Sequence, residues 1–523
     1  MFGVGRMNGS IRLAVAALLL CSPAAALAEW REASSRHFLV YSEGSEQSVR
    51  EFATKLEKFD KAMRLLLGFQ DEEVGPGNRV TVFVVDNLAA VQRLARAKGS
   101  GIAGFYSGRA GTSLAVVPRV NGSGSKTDLA PATILLHEYS HHLMLQNAAA
   151  AYPAWFREGF AEFYSTARFE KDGRIGFGAA ANHRGWGLIG MSPLPIELLF
   201  DPTRRKLDQA EWEATIYGRG WLLTHYLTFE SSRTGQLDAY LKAINGGKGS
   251  LEAARSVFGD LKALDGELKT YLKRRMIPYL PIKAEMLAIR PVTVRTLGPG
   301  ETAIMDLRIR SRVGVTKQDA AQVARDMRKA AAPWPTDPAV QAALAEAEFA
   351  SGNLDAAEAA AARAIAADPK NVDALTYRAM AAFERAKASA ASGEAAWKKV
   401  RSTIVQANRA DPNDPRPLLL YYRSFGEQGI APTRLAVDGL LRAFALAPQD
   451  VGLRMNAARQ LLVDGQAAEA RRAVTPIAFD PHGGALGQAV AAVIAKLDSS
   501  GAKAALQAWD SATEESKTKA SEG

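Results

Sequence analysis

Short apolar runs alternate with amphipathic segments over the first 130 residues of the chain. Runs rich in β-branched and aromatic residues predict strands, because such side chains pack well on a pleated sheet. Apolar residues at helical spacing predict helices over 46–67 and 89–98. The pattern predicts a mixed α/β region, followed by mostly helical patterns over 160–280. The predicted strands span residues 37–41, 79–85, 104–106 and 113–117.

Prolines at positions 278, 281 and 291 interrupt the helical pattern and mark a boundary between two regions. Beyond them, residues 292–295 and 303–309 have strand-like patterns on either side of Gly298, Pro299 and Gly300. This stretch predicts a β-hairpin inside a linker that spans residues 281–318.

Alanine-rich helices punctuated by proline follow from residue 319. Five dipeptides that end in proline recur at intervals of 31, 43, 36 and 33 residues, and tetratricopeptide (TPR) repeats have a period of about 34. Such repeats stack into a solenoid with a concave groove. We therefore predict an all-α TPR-like solenoid over 319–497, which either binds a protein partner or is a plain spacer, and a polar, partly disordered tail over 498–523. The dipeptides are Asp337-Pro338, Asp368-Pro369, Asp411-Pro412, Ala447-Pro448 and Asp480-Pro481.

The first 28 residues have the features of a secretory signal peptide. Two arginines precede an apolar run over 13–20, and small residues frame a cleavage site after Ala28. The run is too short to favour a retained transmembrane helix. The single cysteine, Cys21, lies in this segment, so the mature chain would contain no disulfide, which suits a bacterial periplasm.

The net charge is +10, and it falls to +8 without residues 1–28, which contain two arginines and no acidic residue. Positive charge could favour anionic envelope surfaces or acidic substrates. The basic residues are spread along the chain without an aromatic-interleaved cluster, so we expect no nucleic-acid binding.

The strongest chemical signal is the pentapeptide His137-Glu138-Tyr139-Ser140-His141 within an apolar stretch. Histidines four residues apart lie on one face of a helix, about 6 Å apart along its axis, so both rings can bind one metal ion. Glu138 lies beside them and can hold the water that acts as nucleophile. The motif predicts a zinc site with His137 and His141 as ligands. The alternative is a polar stripe on an inert helix.

The third ligand can be predicted by counting residues in both directions from the turn between two helices. Pro153 is well suited to begin the second helix. Residues equally far from the turn of an antiparallel pair lie level, and on this count His141 is level with Glu158. Glu158 is therefore the predicted third ligand. Glu162 is level with His137 and is predicted to accept a hydrogen bond from its other ring nitrogen, the alternative being a solvated surface charge.

The segment Trp155-Phe156-Arg157-Glu158-Gly159-Phe160-Ala161, together with the pentapeptide, resembles the gluzincin metallopeptidases. Residues 30–280 also resemble a family of secreted bacterial proteins with a peptidase-MA-like core. The resemblance implies an α+β, thermolysin-like domain with one Zn²⁺. Sixteen residues separate His141 from Glu158, fewer than in the aminopeptidases or thermolysin-like enzymes, which implies a tighter helix connection.

The resemblance also assigns roles outside the two helices. Tyr217 matches a gluzincin tyrosine that donates a hydrogen bond to the oxyanion, which would stabilise the transition state more than the substrate. The alternative is a tyrosine packed at a helix start. The strand over 113–117 matches an edge strand that pairs with the substrate backbone, the alternative being an ordinary sheet strand. His183 and His225 have no partner at metal spacing and are predicted to be packed or surface residues.

The sequence thus predicts an exported, periplasmic zinc metallopeptidase, in which Glu138 assists attack of a zinc-bound water on a peptide or protein substrate. Its domain is expected in two parts, 29–128 with the edge strand and 129–280 with the zinc helices. The aminopeptidase motif Gly-x-Met-Glu-Asn does not occur in the sequence, so exopeptidase specificity is not supported. The alternative function is a non-catalytic envelope scaffold. Glu138 favours the enzyme, because a structural zinc site needs no general base.

Overall fold

The computed structural model describes residues 29–72, 74–96, 102–111, 113–119, 131–147, 150–389, 393–480 and 483–522, with side chains through residue 513. The predicted signal segment 1–28 lies outside these residues. A mixed α/β region over 29–313 is followed by a helical array over 317–522.

Two sheets lie in the described part of the α/β region. One has six strands in the order β4-β5-β3-β2-β1-β9, and the other has three in the order β6-β7-β8. In the larger sheet β2, β3 and β5 run parallel, while β4, β1 and β9 are antiparallel to their neighbours. The strands are β1 (Arg31–Ser34), β2 (Phe38–Ser42), β3 (Val80–Val85), β4 (Phe105–Ser107), β5 (Leu114–Pro118), β6 (Arg168–Phe169), β7 (Ile175–Phe177), β8 (Leu280–Ile282) and β9 (Thr293–Thr296).

Helices α1, α3 and α4 share one core with the larger sheet, where the ring of Tyr139 contacts the rings of Phe38 and Phe59. The predicted helix over 46–67 is confirmed as α1, which Ser45 caps by accepting from the backbone N–H of Ser48. The helices of this region are α1 (Glu46–Leu67), α2 (Leu88–Leu94), α3 (Pro131–Asn147), α4 (Ala154–Ser165), α5 (Glu197–Phe200), α6 (Gln209–Trp212), α7 (Gly220–Phe229), α8 (Gln236–Asn245), α9 (Ser250–Phe258), α10 (Leu261–Leu272), α11 (Pro299–Ala303) and α12 (Met305–Val313).

The predicted position of the edge strand is wrong by one strand. β5, which covers most of 113–117, pairs with β3 on one side and β4 on the other, so it lies inside the sheet. Every residue of β5 is buried, as expected for a continuous apolar strand that is covered on both faces. The edge strand next to β5 is β4.

The predicted hairpin in 281–318 is also wrong. Residues 293–296 do form a strand, β9, but its partner is β1. Pro299 lies in the first turn of α11, where its fixed φ favours a helix, and the next segment forms α12. Met305 and Ile309 are buried four residues apart, which is the spacing of one helix face rather than of a strand.

The boundary predicted near residue 280 lies too early. β8 contains Pro281 and pairs with β7 at the edge of the small sheet, a position that tolerates proline. β9 then completes the larger sheet. The α/β region therefore includes most of the stretch that the sequence predicts as a linker.

Antiparallel helix pairs form the array. Several of these helices follow an aspartate whose side chain caps the helix N-terminus, such as Asp337, Asp414 and Asp450. Pro338 begins a helix, whereas Asp368, Asp411 and Ala447 end helices, and Pro481 lies outside the described residues. The helices are α13 (Lys317–Ala331), α14 (Pro338–Ala350), α15 (Leu354–Ala367), α16 (Val372–Ala388), α17 (Glu394–Ala410), α18 (Pro415–Glu427), α19 (Arg434–Leu446), α20 (Val451–Val463), α21 (Ala467–Ala478) and α22 (Gly484–Glu522).

The predicted boundary at residue 498 is not seen. α22 continues through 498–522 with a break at Gly501, where φ is 80°. Trp509 is buried against the preceding helices of the array, so this part of the predicted tail is packed rather than disordered.

Residues at the N-terminal ends of several array helices contact the α/β region. Asp450 accepts a hydrogen bond from the backbone N–H of Ala110 at 2.7 Å, and Asn78 donates to the carbonyl of Asn413 at 2.8 Å. Two further contacts reach the α3–α4 helix pair: Arg454 donates to the carbonyl of Leu145, and an ion pair of 3.0 Å joins Arg157 to an aspartate after α21. The array is thus docked on the α/β region. Within the described residues, no helix is long and apolar enough to cross a membrane.

Candidate metal centre

The α3–α4 pair is held by unusually close packing of α4 against α7. A Cβ on Gly159 would lie 2.4 Å from the carbonyl oxygen of Gly220, so only glycine allows the two backbones to approach this closely. Trp155 is fully buried at the start of α4 and donates a hydrogen bond of 2.8 Å to the hydroxyl of Tyr240. The Trp-x-x-x-Gly spacing therefore fixes the position of the helix that carries Glu158.

Three side chains converge at the level predicted by the count from the turn. His137 Nε2 lies 3.2 Å from His141 Nε2 and 3.2 Å from Glu158 Oε2, and His141 Nε2 lies 3.3 Å from the same carboxylate oxygen. Atoms bound to one tetrahedral zinc at about 2.0–2.2 Å lie about 3.3–3.5 Å from one another. The three atoms have the spacing of such a ligand set and form a group that could hold a metal ion.

The electrostatics of the cluster favour a cation. Burial disfavours the charged ring of His137, but hydrogen bonds to Glu158 and Glu162 outweigh burial and raise its pKa to about 10. A proton therefore occupies the cluster when no other positive charge does. A divalent metal ion would displace that proton, because a ligand histidine must be neutral.

Glu162 is the centre of a second layer of contacts. Its carboxylate lies 3.4 Å from His137 Nδ1, 2.7 Å from His183 Nε2 and 2.6 Å from Arg184 Nη2. Burial opposes the carboxylate charge, but these three partners outweigh burial and hold its pKa well below the usual range. Glu162 is buried rather than a solvated surface charge.

Tyr217 lies beside the cluster, within a π-helical segment over Glu213–Arg219. Its ring stacks on His137 with centroids 6.0 Å apart, and the Arg184 guanidinium lies 4.7 Å from the ring centroid. Burial and the nearby Glu158 carboxylate raise the pKa of Tyr217, so its hydroxyl keeps its proton at neutral pH. Tyr217 can therefore donate a hydrogen bond from this position.

Glu138, which follows His137 on α3, is half-buried. Its charge contributes to the raised pKa of Tyr106 on β4, although burial is the main cause. The Tyr106 hydroxyl lies 2.5 Å from His142 Nδ1. Burial lowers the pKa of His142 to about 3, so that ring is neutral and accepts from Tyr106. This contact ties the edge strand to α3.

Sequence reasoning missed Tyr106, His142 and Arg184 as neighbours of the cluster, since none belongs to the two motifs. His183 and His225, which the sequence predicts to be packed or surface residues, lie outside the three-atom cluster. His183 contacts Glu162 and is not in the three-atom cluster. His225 is buried among the Tyr271 hydroxyl and two backbone carbonyls, and burial lowers its pKa to about 4.

A second buried group of similar composition lies at the start of β2. His37 Nδ1 is 2.9 Å from Glu57 and 3.4 Å from Asp60. Arg64 and the Tyr139 hydroxyl both donate to Asp60. The permanent positive charge of Arg64 therefore already lies in this group. No motif in the sequence identifies the group.

No protein-family model and no curated protein matches the chain. Among solved structures, a thermophilic TPR protein of Thermus thermophilus matches 34% of this chain and 90% of its own length, with 17% sequence identity and a TM-score of 0.28.

Proposed function

We propose that the protein is a zinc-dependent metallopeptidase of the gluzincin type. The observation that carries this proposal is the convergence of His137, His141 and Glu158 beside a free-standing glutamate, Glu138. Within the described residues three side chains could bind the ion, which is the number of protein ligands typical of catalytic zinc sites, whereas structural sites use four.

His137, His141 and Glu158 would hold the ion. When bound, Zn²⁺ supplies Lewis-acid chemistry: it polarises a carbonyl group and makes a water molecule acidic enough to be a nucleophile near neutral pH. The donor set of two imidazoles and one carboxylate suits zinc, and the docked helices hold it rigidly.

The side chains around the ion have separate tasks in this proposal. Glu138 orients the attacking water and accepts its proton as general base. Tyr217, which keeps its proton, donates a hydrogen bond to the oxygen that gains negative charge as the peptide carbon becomes tetrahedral. Glu162 accepts from His137 Nδ1 and so holds that ring with Nε2 facing the ion.

Substrate binding is assigned to β4 in place of β5. Among the described strands β4 pairs only with β5, so its other edge is available to the backbone of an extended peptide. Pairing through the backbone would make binding tolerant of sequence. A peptide or unfolded protein segment is therefore the proposed substrate.

We also infer that the protein is exported, on the signal-like sequence of residues 1–28. The TPR-like array provides the alternative function, an interaction protein that binds an envelope partner without turnover. Its contacts with the α3–α4 pair support a role in guiding substrates or partners to the centre.

The experiment is hydrolysis of fluorescently labelled, denatured casein by residues 29–523 loaded with zinc. The wild type is expected to cleave, and Glu138→Gln to retain zinc and to lose about 10²–10⁴-fold in rate, the usual contribution of a general base. Glu51→Gln, on the exposed surface of α1, is the matched control and should cleave normally. Zinc binding without wild-type cleavage of casein or of an envelope peptide extract favours the interaction protein. Equal rates for wild type and Glu138→Gln would contradict the mechanism.

A further inference from the structure

Three large apolar side chains protrude into solvent close to the candidate metal centre. Trp186 is 69% exposed, Ile189 is 77% exposed and Met276 is 84% exposed. Soluble proteins seldom expose several large apolar residues together unless the surface binds something. We refer to Trp186, Ile189 and Met276 as the apolar rim.

One pocket lies between the two segments that carry the rim. Its volume is about 230 Å³, and Ile189 lines it together with Arg275 and Ile277, the two neighbours of Met276 in sequence. Trp186 lies in the same π-helical segment as Ile189, Trp186–Gly190, and its ring approaches Gly190. The rim is therefore a single surface formed by two segments that are distant in sequence.

Basic residues accompany the rim. Residues 268–284 contain five lysines and arginines and no acidic residue. Lys273, Arg274 and Arg275 are exposed immediately before Met276. Arg274 pairs with Glu230 at 2.9 Å, whereas the structure assigns no carboxylate partner to Lys273 or Arg275 among its described residues. Two cations are thus available at the apolar surface.

The same segment also reaches the metal centre. Arg184, two residues before Trp186, donates a hydrogen bond to Glu162, and its guanidinium lies over the ring of Tyr217. Its second acidic neighbour is Glu213, at 3.8 Å. Arg184 therefore links the segment that carries Trp186 and Ile189 to the residues around the candidate metal centre.

We propose that the apolar rim docks on the surface of a bilayer containing anionic phospholipids. Tryptophan and other large apolar side chains insert at the boundary between headgroups and acyl chains. Basic residues beside them are attracted to anionic headgroups. The pocket between Ile189 and Ile277 has room for part of one acyl chain.

Docking in this way would place the metal centre beside the membrane. If the centre is a peptidase, as proposed above, the substrates it meets there are polypeptide segments close to the bilayer, such as the extended parts of membrane-anchored proteins. This consequence rests on the proposed function, whereas the docking itself does not.

The test is co-sedimentation of the zinc-loaded chain 29–523 with vesicles. Vesicles of equal parts phosphatidylglycerol and phosphatidylethanolamine are compared with vesicles of phosphatidylcholine. We expect binding to the anionic vesicles, weakened by salt, and about tenfold weaker partitioning for the triple variant Trp186→Ser, Ile189→Ser, Met276→Ser. Leu435→Ser is the matched control, because Leu435 is 71% exposed on the array, and it should bind as the wild type does.

Two further variants separate the possible outcomes. Lys273→Gln combined with Arg275→Gln should reduce the salt dependence of binding, since two headgroup contacts are removed. Glu138→Gln should bind normally, so a failure of catalysis does not affect the test. If the triple variant does not fold, Trp186→Phe replaces it, and the vesicle-induced blue shift of tryptophan emission should shrink in that variant.

Three results would overturn the proposal. These are an absence of sedimentation with anionic vesicles, equal binding of the triple variant and the wild type, or wild-type self-association that the triple variant abolishes without any vesicle binding. The last would assign the rim to a second copy of the chain.

Discussion

Two groups in the α/β region combine histidine with carboxylate, yet their surroundings differ. One consists of the half-buried His137 and His141 with the buried Glu158, and the other consists of the buried His37, Glu57 and Asp60. In the His137 group, the facing atoms of His137, His141 and Glu158 converge with no arginine or lysine between them. In the His37 group, Arg64 and the Tyr139 hydroxyl already donate to Asp60. Composition alone does not separate a metal site from an ion-pair cluster. The two kinds of site differ in whether the lone pairs of the ligand atoms converge on one point and in whether a fixed cation is already present.

The largest expected difference is in zinc binding. Glu158→Gln should lower the zinc affinity by more than about 100-fold, because losing a ligand costs more than losing a residue that orients one, which costs about 10–100-fold. Glu57→Gln should leave the affinity unchanged. Titration of zinc against a competing chelator measures both. Equal weakening by the two substitutions would remove the distinction between the groups.

Stability should respond in the opposite way. Glu57→Gln leaves His37 and Arg64 beside one fewer carboxylate in a buried site, and breaking a buried ion pair typically costs about 3–5 kcal/mol. The free energy of unfolding, measured with urea in the presence of zinc, should fall by about this amount. Glu51→Gln on exposed α1 controls for the loss of one negative charge. A loss below about 1 kcal/mol, the size of an ordinary surface ion pair, would show that the ion pairs of the His37 group do not stabilise the fold as buried ion pairs do.

Arg184 provides a sharper test of the His137 group. Its guanidinium holds Glu162 and lies over Tyr217, so we expect Arg184→Gln to weaken zinc binding by about 10–100-fold and to lower kcat more than it changes KM. Arg174→Gln, which removes an exposed arginine paired with Asp172, is the matched control. Arg184→Lys should recover part of the metal affinity. Normal zinc affinity in Arg184→Gln would limit Arg184 to packing.

The smallest effect concerns pH. Burial disfavours the charged His37 ring, but Glu57 and Asp60 outweigh burial and raise its pKa above 6.5. A raised folded-state pKa adds stability that is fully present below 6.5 and is lost as the pH rises through the folded value. The stability difference between wild type and His37→Gln should therefore be larger at about pH 6 than at about pH 9. A difference that grows with pH would contradict the assigned direction.

The His137 group was accessible from sequence because its spacing is local. His137 and His141 are one helical turn apart, and a short turn brings Glu158 and Glu162 to the same levels. His37 lies in the bend before β2 and Glu57 lies twenty residues further on in α1, and no periodicity relates the two. Arg184 returns to Glu162 through a loop, so only the tertiary fold reveals the contact.

The fold could likewise be predicted where a pattern is local and not where tertiary packing decides. The α1 pattern predicts its helix correctly because 22 residues share one amphipathic period. The order of strands depends on which edges meet, so placing residues 113–117 at the edge was wrong. The hairpin prediction failed because Gly298, Pro299 and Gly300 suit both a turn and a helix start, and the later burial of Met305 and Ile309 decides between them.

The most direct test of the central claim is the zinc content of the purified chain 29–523, measured by elemental analysis after dialysis against a slight excess of zinc and removal of free ion. The account predicts one zinc per chain in the wild type and in His37→Gln, and none in His141→Gln. A wild type without zinc, or a His141→Gln variant that retains it, would contradict the assignment of His137, His141 and Glu158 as the metal centre.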